Sequence, residues 1–144
     1  MLTLKKISED EFYLGELDSQ GDPAGFGIFK WPSDNIQIGY WLNGLQEGKG
    51  FTYFACGEIY AGEFVSGKRN GYGTYFWANN RFGSGIALND QRYGWGIDTL
   101  PDGTILQIFF RNGKANGQTC ATYPCGSTVE GPYVDNKPEG VFRF

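Results

Sequence analysis

The chain has 144 residues, so we expect one modest domain. Its formal net charge of −4 disfavours binding to a polyanion such as nucleic acid. Glycine supplies 23 residues and aromatic side chains 17% of the sequence, which favours short strands and turns and excludes a helical bundle. Histidine, the most common general base and metal ligand, does not occur, and the three cysteines lack the CxxC spacing of a zinc site.

The chain begins with a charged segment, residues 1–11, which has no apolar region of the kind that signal peptides carry. No apolar run anywhere approaches the 18 residues that a membrane span needs. We therefore expect a cytoplasmic protein with reduced thiols. The N-terminal segment is expected to cap one end of the fold or to pair as one more strand.

From residue 12 onward the sequence repeats with a period of 23 residues. The period is marked by six glycines in step: Gly25, Gly48, Gly71, Gly94, Gly117 and Gly140. It divides the chain into six units, 12–34, 35–57, 58–80, 81–103, 104–126 and 127–144. In the third unit, residues 58–65 and 71–77 alternate as strands do, separated by a turn at 66–70 and followed by a link at 78–80.

Each repeat is thus predicted to be a β-hairpin with two chemically specified bends. Residues that tolerate positive φ recur in the turn, at Gly21, Gly44, Gly67, Asp90, Gly113 and Asn136. They recur in the link, at Asp34, Gly57, Asn80, Gly103 and Gly126. The predicted fold is all-β: an elongated, single-layer antiparallel sheet of about six hairpins and roughly twelve strands.

The third repeat, from Tyr60 to Tyr75, reads YAGEFVSGKRNGYGTY and resembles the MORN repeat pattern Y-x-G-E-W/F-x-x-G-K-x-x-G-x-G-x-Y. The other repeats match it in part, and the resemblance covers about residues 12–144. It implies a non-catalytic scaffold or adaptor that binds other proteins, in a cytoskeletal or membrane-apposed assembly.

Strand alternation sorts the aromatic residues onto two faces. On one face, large rings are expected to lie over the glycine columns and to form the core. The other face carries a mixture of rings and polar residues, for which the chain has no second sheet. Either these rings stay exposed and bind a partner protein, or twist of the sheet hides them. The candidate partner-binding residues are Phe26, Tyr40, Tyr53, Tyr72, Phe76 and Trp95.

Catalysis is not expected, and no catalytic residue, cofactor or metal site is assigned. Recurrent carboxylates such as Glu16 and Glu63 could in principle form an acid pair, but their columns carry apolar residues in other repeats. Serines such as Ser66 have no nucleophile motif around them. The sequence therefore favours a binding protein over an enzyme.

Two further partners are considered. Acidic phospholipids are the alternative ligand, bound by a basic hairpin-turn edge that consists of Lys68, Arg69, Arg92, Lys114 and Lys137. Acidic residues dilute this edge, so a protein partner is favoured over a membrane. An open sheet edge at the C-terminal hairpin also predicts a homodimer formed by strand addition.

Overall fold

The computed structural model describes all residues from Met1 to Phe144 and contains strands and turns but no helix. Its fourteen strands belong to one open antiparallel sheet, which confirms the all-β prediction. They are β1 (Thr3–Lys6), β2 (Phe12–Leu17), β3 (Pro23–Lys30), β4 (Ile36–Leu42), β5 (Leu45–Tyr53), β6 (Ile59–Val65), β7 (Lys68–Phe76), β8 (Phe82–Leu88), β9 (Gln91–Thr99), β10 (Ile105–Arg111), β11 (Lys114–Ala115), β12 (Gly117–Thr122), β13 (Thr128–Val134) and β14 (Lys137–Pro138). The chain divides into two compact units, Met1–Gly71 and Tyr72–Phe144.

The two strands beyond the expected twelve have local causes. The N-terminal segment pairs as a strand, with Thr3 of β1 opposite Gly15 of β2. In the fifth repeat, the second strand is interrupted at Asn116, whose amide donates to the carbonyl of Phe109 at 2.8 Å. The interruption divides this strand into β11 and β12, both of which pair with β10.

The hairpins after the first are closed by two-residue turns in which both residues have positive φ, as a type I′ turn requires. The second position of these turns is the column that the sequence predicted: Gly44, Gly67, Asp90, Gly113 and Asn136. The turn at 66–70 was predicted too long, because Lys68 already belongs to β7. Turn amides also join neighbouring hairpins, since Gly67 donates to the carbonyl of Gln46 at 2.9 Å.

The links between hairpins share a backbone geometry of their own, different from that of the hairpin turns. In one of them, the amide of Trp77 donates to the carbonyl of Arg81 at 2.8 Å, and the amide of Asn80 donates back to the carbonyl of Trp77 at 3.1 Å. One residue of each link has positive φ, in the column that the sequence predicted: Asp34, Gly57, Asn80, Gly103 and Gly126. None of the elements is a helix of the length and apolarity that crossing a membrane demands.

The stability of one link is expected to depend on pH. The amide of Thr104 donates to a carboxylate oxygen of Asp102 at 2.9 Å, and this bond lowers the pKa of Asp102 below its ordinary value. Because the folded pKa is lower than the unfolded pKa, the stabilisation is complete above the unfolded pKa and is lost as the pH falls through the folded pKa. We expect an NMR titration of the Asp102 carboxyl to give a lower midpoint in the folded than in the urea-unfolded protein. Equal midpoints would contradict this turn geometry.

The period-marking glycines have a different role from the one the sequence suggested. All six have positive φ, from 69° at Gly25 to 110° at Gly71. Gly48 faces open space, and no ring covers it. It lies where the register between β4 and β5 shifts, between the pairs Gly39–Gly50 and Trp41–Gln46. Gly25 and Gly94 lie at equivalent register shifts, so at these three positions the glycine permits a β-bulge in the second strand of the repeat, which needs a residue tolerant of the left-handed region.

A second set of glycines forms a ladder across the sheet, and here the predicted covering by rings is found in part. Gly15 pairs with Gly27, and the Tyr13 ring lies directly over both. The Phe142 ring covers Gly131 in the same way. At other rungs of the ladder a polar side chain replaces the ring, with Gln46 over Gly50 as one example.

Side chains on this inner face form the core of each unit. In the unit Met1–Gly71, Tyr13, Phe29 and Trp41 form one buried cluster, with Tyr13 fully buried. The Tyr13 and Trp41 rings meet edge to face at 5.8 Å, and the Tyr13 hydroxyl donates to the carbonyl of Glu16 at 3.0 Å. Burial first, and then the Glu16 charge, raise the pKa of the Tyr13 phenol. In the unit Tyr72–Phe144, Ile108, Phe110 and Ala115 form a second buried cluster.

Candidate interaction surface

The outer face of the sheet carries exposed aromatic rings in the unit Met1–Gly71. Phe26 of β3 and Tyr40 of β4 are cross-strand partners whose rings meet edge to face at 5.7 Å. On β5, the Phe51 and Tyr53 rings stack at 6.4 Å. Each of these four side chains is more than 40% exposed. Strand alternation produces this arrangement, because a residue between two inward-facing neighbours must point outward.

The outer face of the unit Tyr72–Phe144 is richer in rings. Trp95 of β9 is 61% exposed and packs edge to face at 5.4 Å on its cross-strand partner Phe109 of β10. A shallow hollow of about 280 Å³ beside this pair is lined by Trp95, Gly96, Ile97 and Gln107. Tyr72 and Phe76 are exposed on β7, where Phe76 stacks on Phe82 at 6.3 Å.

The exposure of these rings bears on the two alternatives that the sequence left open. All six candidate partner-binding residues point outward, with exposed fractions of 41–61%: Phe26, Tyr40, Tyr53, Tyr72, Phe76 and Trp95. All fourteen strands belong to one sheet, so no second sheet covers this face. Twist therefore does not hide the rings within the chain, and their role in binding stays a prediction.

The basic edge proposed for phospholipids is smaller than the sequence suggested. Lys68, Lys114 and Lys137 are exposed. Arg92, in contrast, points inward with a side chain that is 11% exposed, and Arg69 lies over the Tyr60 ring at 5.6 Å. Arg92 must be removed from the candidate lipid-binding set, because its guanidinium is enclosed by the core.

Arg92 belongs instead to a buried ion cluster that the sequence did not reveal. Its guanidinium makes a bidentate contact with Asp98, at 2.8 Å and 3.0 Å, and Arg81 pairs with the same carboxylate. Asp98 is fully buried. Arg92 lies 4.0 Å from the centroid of the Phe110 ring and 5.0 Å from that of Tyr75. Two guanidinium groups thus share one carboxylate among aromatic rings.

Part of the inner face could have been predicted and was overlooked. Phe29 and Tyr75 are both buried, at the same position of the first and third repeats. Each lies two residues before an inward-facing tryptophan, so alternation alone places them on the inner face. The same position holds Asp98 in the fourth repeat, where a charge gives no sign from sequence that it will be buried.

The C-terminal edge differs from a bare strand edge. β14 has two residues, and one of them is Pro138, which has no amide hydrogen to donate. Glu130 of β13 pairs with Arg143 through an isolated bridge. Short strands and proline at an edge disfavour the addition of another strand. Self-association at this edge stays a prediction.

The repeats can be assigned to a known family. The sequence profile described as "MORN repeat" matches residues 19–36, 38–55 and 60–80. Residues 19–80 thus contain three MORN repeats. The three matches are consecutive, and the hairpin geometry of the structure continues through the later repeats, which resemble the MORN pattern less closely.

Solved structures with a similar fold come from another group of proteins. The wild-type TCP10 domain of Danio rerio CPAP has a TM-score of 0.55 and 12% identity to this chain, covering 96% of this chain and 64% of that one. The chain thus spans less than two thirds of that domain. The TCP domain of SAS-4 (dCPAP) of Drosophila melanogaster, in complex with a proline-rich motif of Ana2 (dSTIL), has a TM-score of 0.49 and 12% identity, covering 88% and 87%. No curated protein matches the sequence.

The chain has no cluster of three or more His, Cys, Asp or Glu residues that could hold a metal ion. Its cysteines are free, with Cys56 and Cys125 exposed and Cys120 half-buried. A hydrogen bond from the Ser127 side chain lowers the pKa of the Cys125 thiol. Nothing in this turn resembles a nucleophile with an adjacent general base.

Proposed function

We propose that the protein is a non-catalytic interaction scaffold that binds a partner protein through the outer aromatic face of its MORN repeats. The observation that carries the proposal is the set of outward rings, led by Trp95 at 61% and Tyr40 at 57% exposed. Exposing this many rings to water has a free-energy cost that a binding partner removes, and soluble proteins seldom expose large apolar patches without one.

The geometry of the rings suits a protein partner. Tyrosine and tryptophan offer a large rigid contact area with a polar group at its rim, and both are enriched among residues that dominate binding energy. The edge-to-face pair of Trp95 and Phe109 is held by cross-strand packing, so little side-chain entropy remains to be lost on binding. The hollow beside Trp95 offers a place for one apolar side chain of the partner.

The phospholipid alternative has less support. Anionic leaflets are usually recognised by about 4 to 8 clustered basic residues, each contributing about 1 kcal/mol. The exposed part of the basic edge holds three lysines, Lys68, Lys114 and Lys137, and the protein carries a net negative charge. We further propose a cytoplasmic location in a cytoskeletal or membrane-apposed assembly, which the free exposed thiols of Cys56 and Cys125 support.

The proposal predicts that Y72A and W95A each weaken partner binding at least about tenfold, which corresponds to about 1.4 kcal/mol. The partner is first identified by affinity purification with mass spectrometry, and its Kd is then measured by calorimetry. Circular dichroism should hardly change, because neither side chain belongs to the core. Y123A is the matched control, since Tyr123 is also an exposed ring but lies on the inner face. Equal Kd values for the protein and for W95A would overturn the proposal.

A further inference from the structure

The inner face of the unit Tyr72–Phe144 contains an open cavity of about 530 Å³. One repeat column of the inner face, at positions 29, 52, 75, 98 and 121, carries a buried ring in the first and third repeats and Thr52 or Asp98 in the second and fourth. The fifth repeat has Ala121, the smallest side chain of the column, and Ala121 lines the cavity. Pockets that hold small organic ligands usually have about 300–1,000 Å³.

The floor of the cavity and part of its wall are apolar. Ala121 of β12 pairs with Leu106 of β10 on one side and with Val129 of β13 on the other, and these three residues form the floor. The wall includes Tyr133 and Phe142, whose rings meet edge to face at 6.1 Å. Such a surface is suited to an aliphatic or aromatic body.

Three polar residues interrupt this lining, Arg81, Thr119 and Asn136, and the Asn136 side chain already accepts a hydrogen bond from the Ala115 amide at 2.7 Å. Arg81 lines the cavity with a side chain that is 33% exposed, and its Nε has no hydrogen-bond partner. The hydroxyl of Thr119, a residue that is only 8% exposed, is also buried without a partner in the same wall. Both of these atoms are themselves enclosed, so a ligand can contact only the exposed part of the Arg81 side chain.

The electrostatics at this end of the cavity favour an anion. Asp98 neutralises one of the two guanidinium groups that contact it, which leaves an excess positive charge in the cluster. Arg92 is covered by the Phe110 ring and satisfied by a bidentate contact, so Arg81 is the cation that remains accessible. Guanidinium groups recognise carboxylates through directed, charge-assisted hydrogen bonds.

We propose that this cavity binds a small amphiphilic carboxylate of the medium-chain fatty-acid type. The carboxylate contacts Arg81, and the aliphatic chain lies over Leu106, Ala121 and Val129. The site is on the inner face and shares no residue with the outer aromatic face, so it is independent of the proposed binding of a partner protein.

The test uses the whole purified protein and calorimetric titration with octanoate, octanol and octylamine, three ligands with the same chain. Octanoate should bind at least tenfold more tightly than octanol, and octylamine should not bind detectably. Methyl NMR of the unaltered protein should place the shift changes at Ala115, Ala121 and Val129. No octanoate binding, equal affinity for the acid and the alcohol, or shift changes elsewhere would each overturn the proposal.

Two variants separate the two parts of the site. A121F fills the cavity with the ring that the same position holds in the first repeat, and it should abolish octanoate binding. R81Q should weaken octanoate at least tenfold while leaving octanol unchanged, because the charged contact with the ligand is lost while Arg92 still pairs with Asp98. Unchanged octanoate affinity in a folded A121F protein would contradict the assigned site. The methyl NMR experiment needs no variant and decides the question if A121F does not fold.

Discussion

Alanine in place of Gly27 is expected to lower the free energy of unfolding by about 3 kcal/mol, the upper end for overpacking a well-packed core. A Cβ atom at this position would overlap the hydroxyl and ring carbons of Tyr13. Tyr13 has no free space to move into, because it is fully buried and in contact with the Phe29 and Trp41 rings. The added methyl group must therefore displace the centre of a core cluster.

The matched control is Gly48→Ala, in which the added Cβ meets no atom within 4 Å. Gly48→Ala is expected to lower the free energy of unfolding by less, roughly 1–2 kcal/mol, since the only strain comes from the positive φ of 76°. Gly48→Asn should lower it less still, because asparagine tolerates the left-handed region. Urea unfolding of the three variants measures these differences. Equal losses for G27A and G48A would show that the two glycine columns do not differ as described.

These two glycines also show how far the sequence could predict the fold. The period of 23 residues and the turn residues were enough for the hairpins, since type I′ turns need residues such as Gly44 that accept positive φ. Glycine is required at these two positions, however, for two different physical reasons. Gly48 is needed for its backbone angle and Gly27 for the closeness of a ring, and the spacing of the repeats cannot separate a bulge from a covered strand.

The exposure of the outer rings was easier to predict than the packing of the interior. Outward rings such as Trp95 follow from alternation, which requires only the register of each strand within its own hairpin. The inner cluster depends on neighbours from different parts of the chain. In the sequence, Arg92 has the position of a basic turn residue. The pairing of β9 with β10, however, brings the Phe110 ring over its guanidinium. Such long-range packing leaves no local signal in the repeat.

Asparagine in place of Asp98 is expected to lower the free energy of unfolding by about 3–5 kcal/mol, the usual cost of removing one partner of a buried ion pair. The side chain keeps its size, so packing changes little. Arg92 is left without a counter-charge, and at 11% exposure its guanidinium cannot be solvated by water in place of the carboxylate. Thermal and urea unfolding at neutral pH both measure the loss.

Two further variants identify the cause of that loss. Asp34→Asn removes an exposed carboxylate that pairs with Lys30 at 2.9 Å, and it should cost less than about 1 kcal/mol, as surface ion pairs do. The triple variant R81M/R92M/D98L replaces the whole cluster with apolar side chains and should regain most of the stability that D98N loses. Buried ion clusters often behave in this way, because the penalty lies in an uncompensated charge. A triple variant no more stable than D98N would instead place the loss in the packing of Arg92 against the Tyr75 and Phe110 rings.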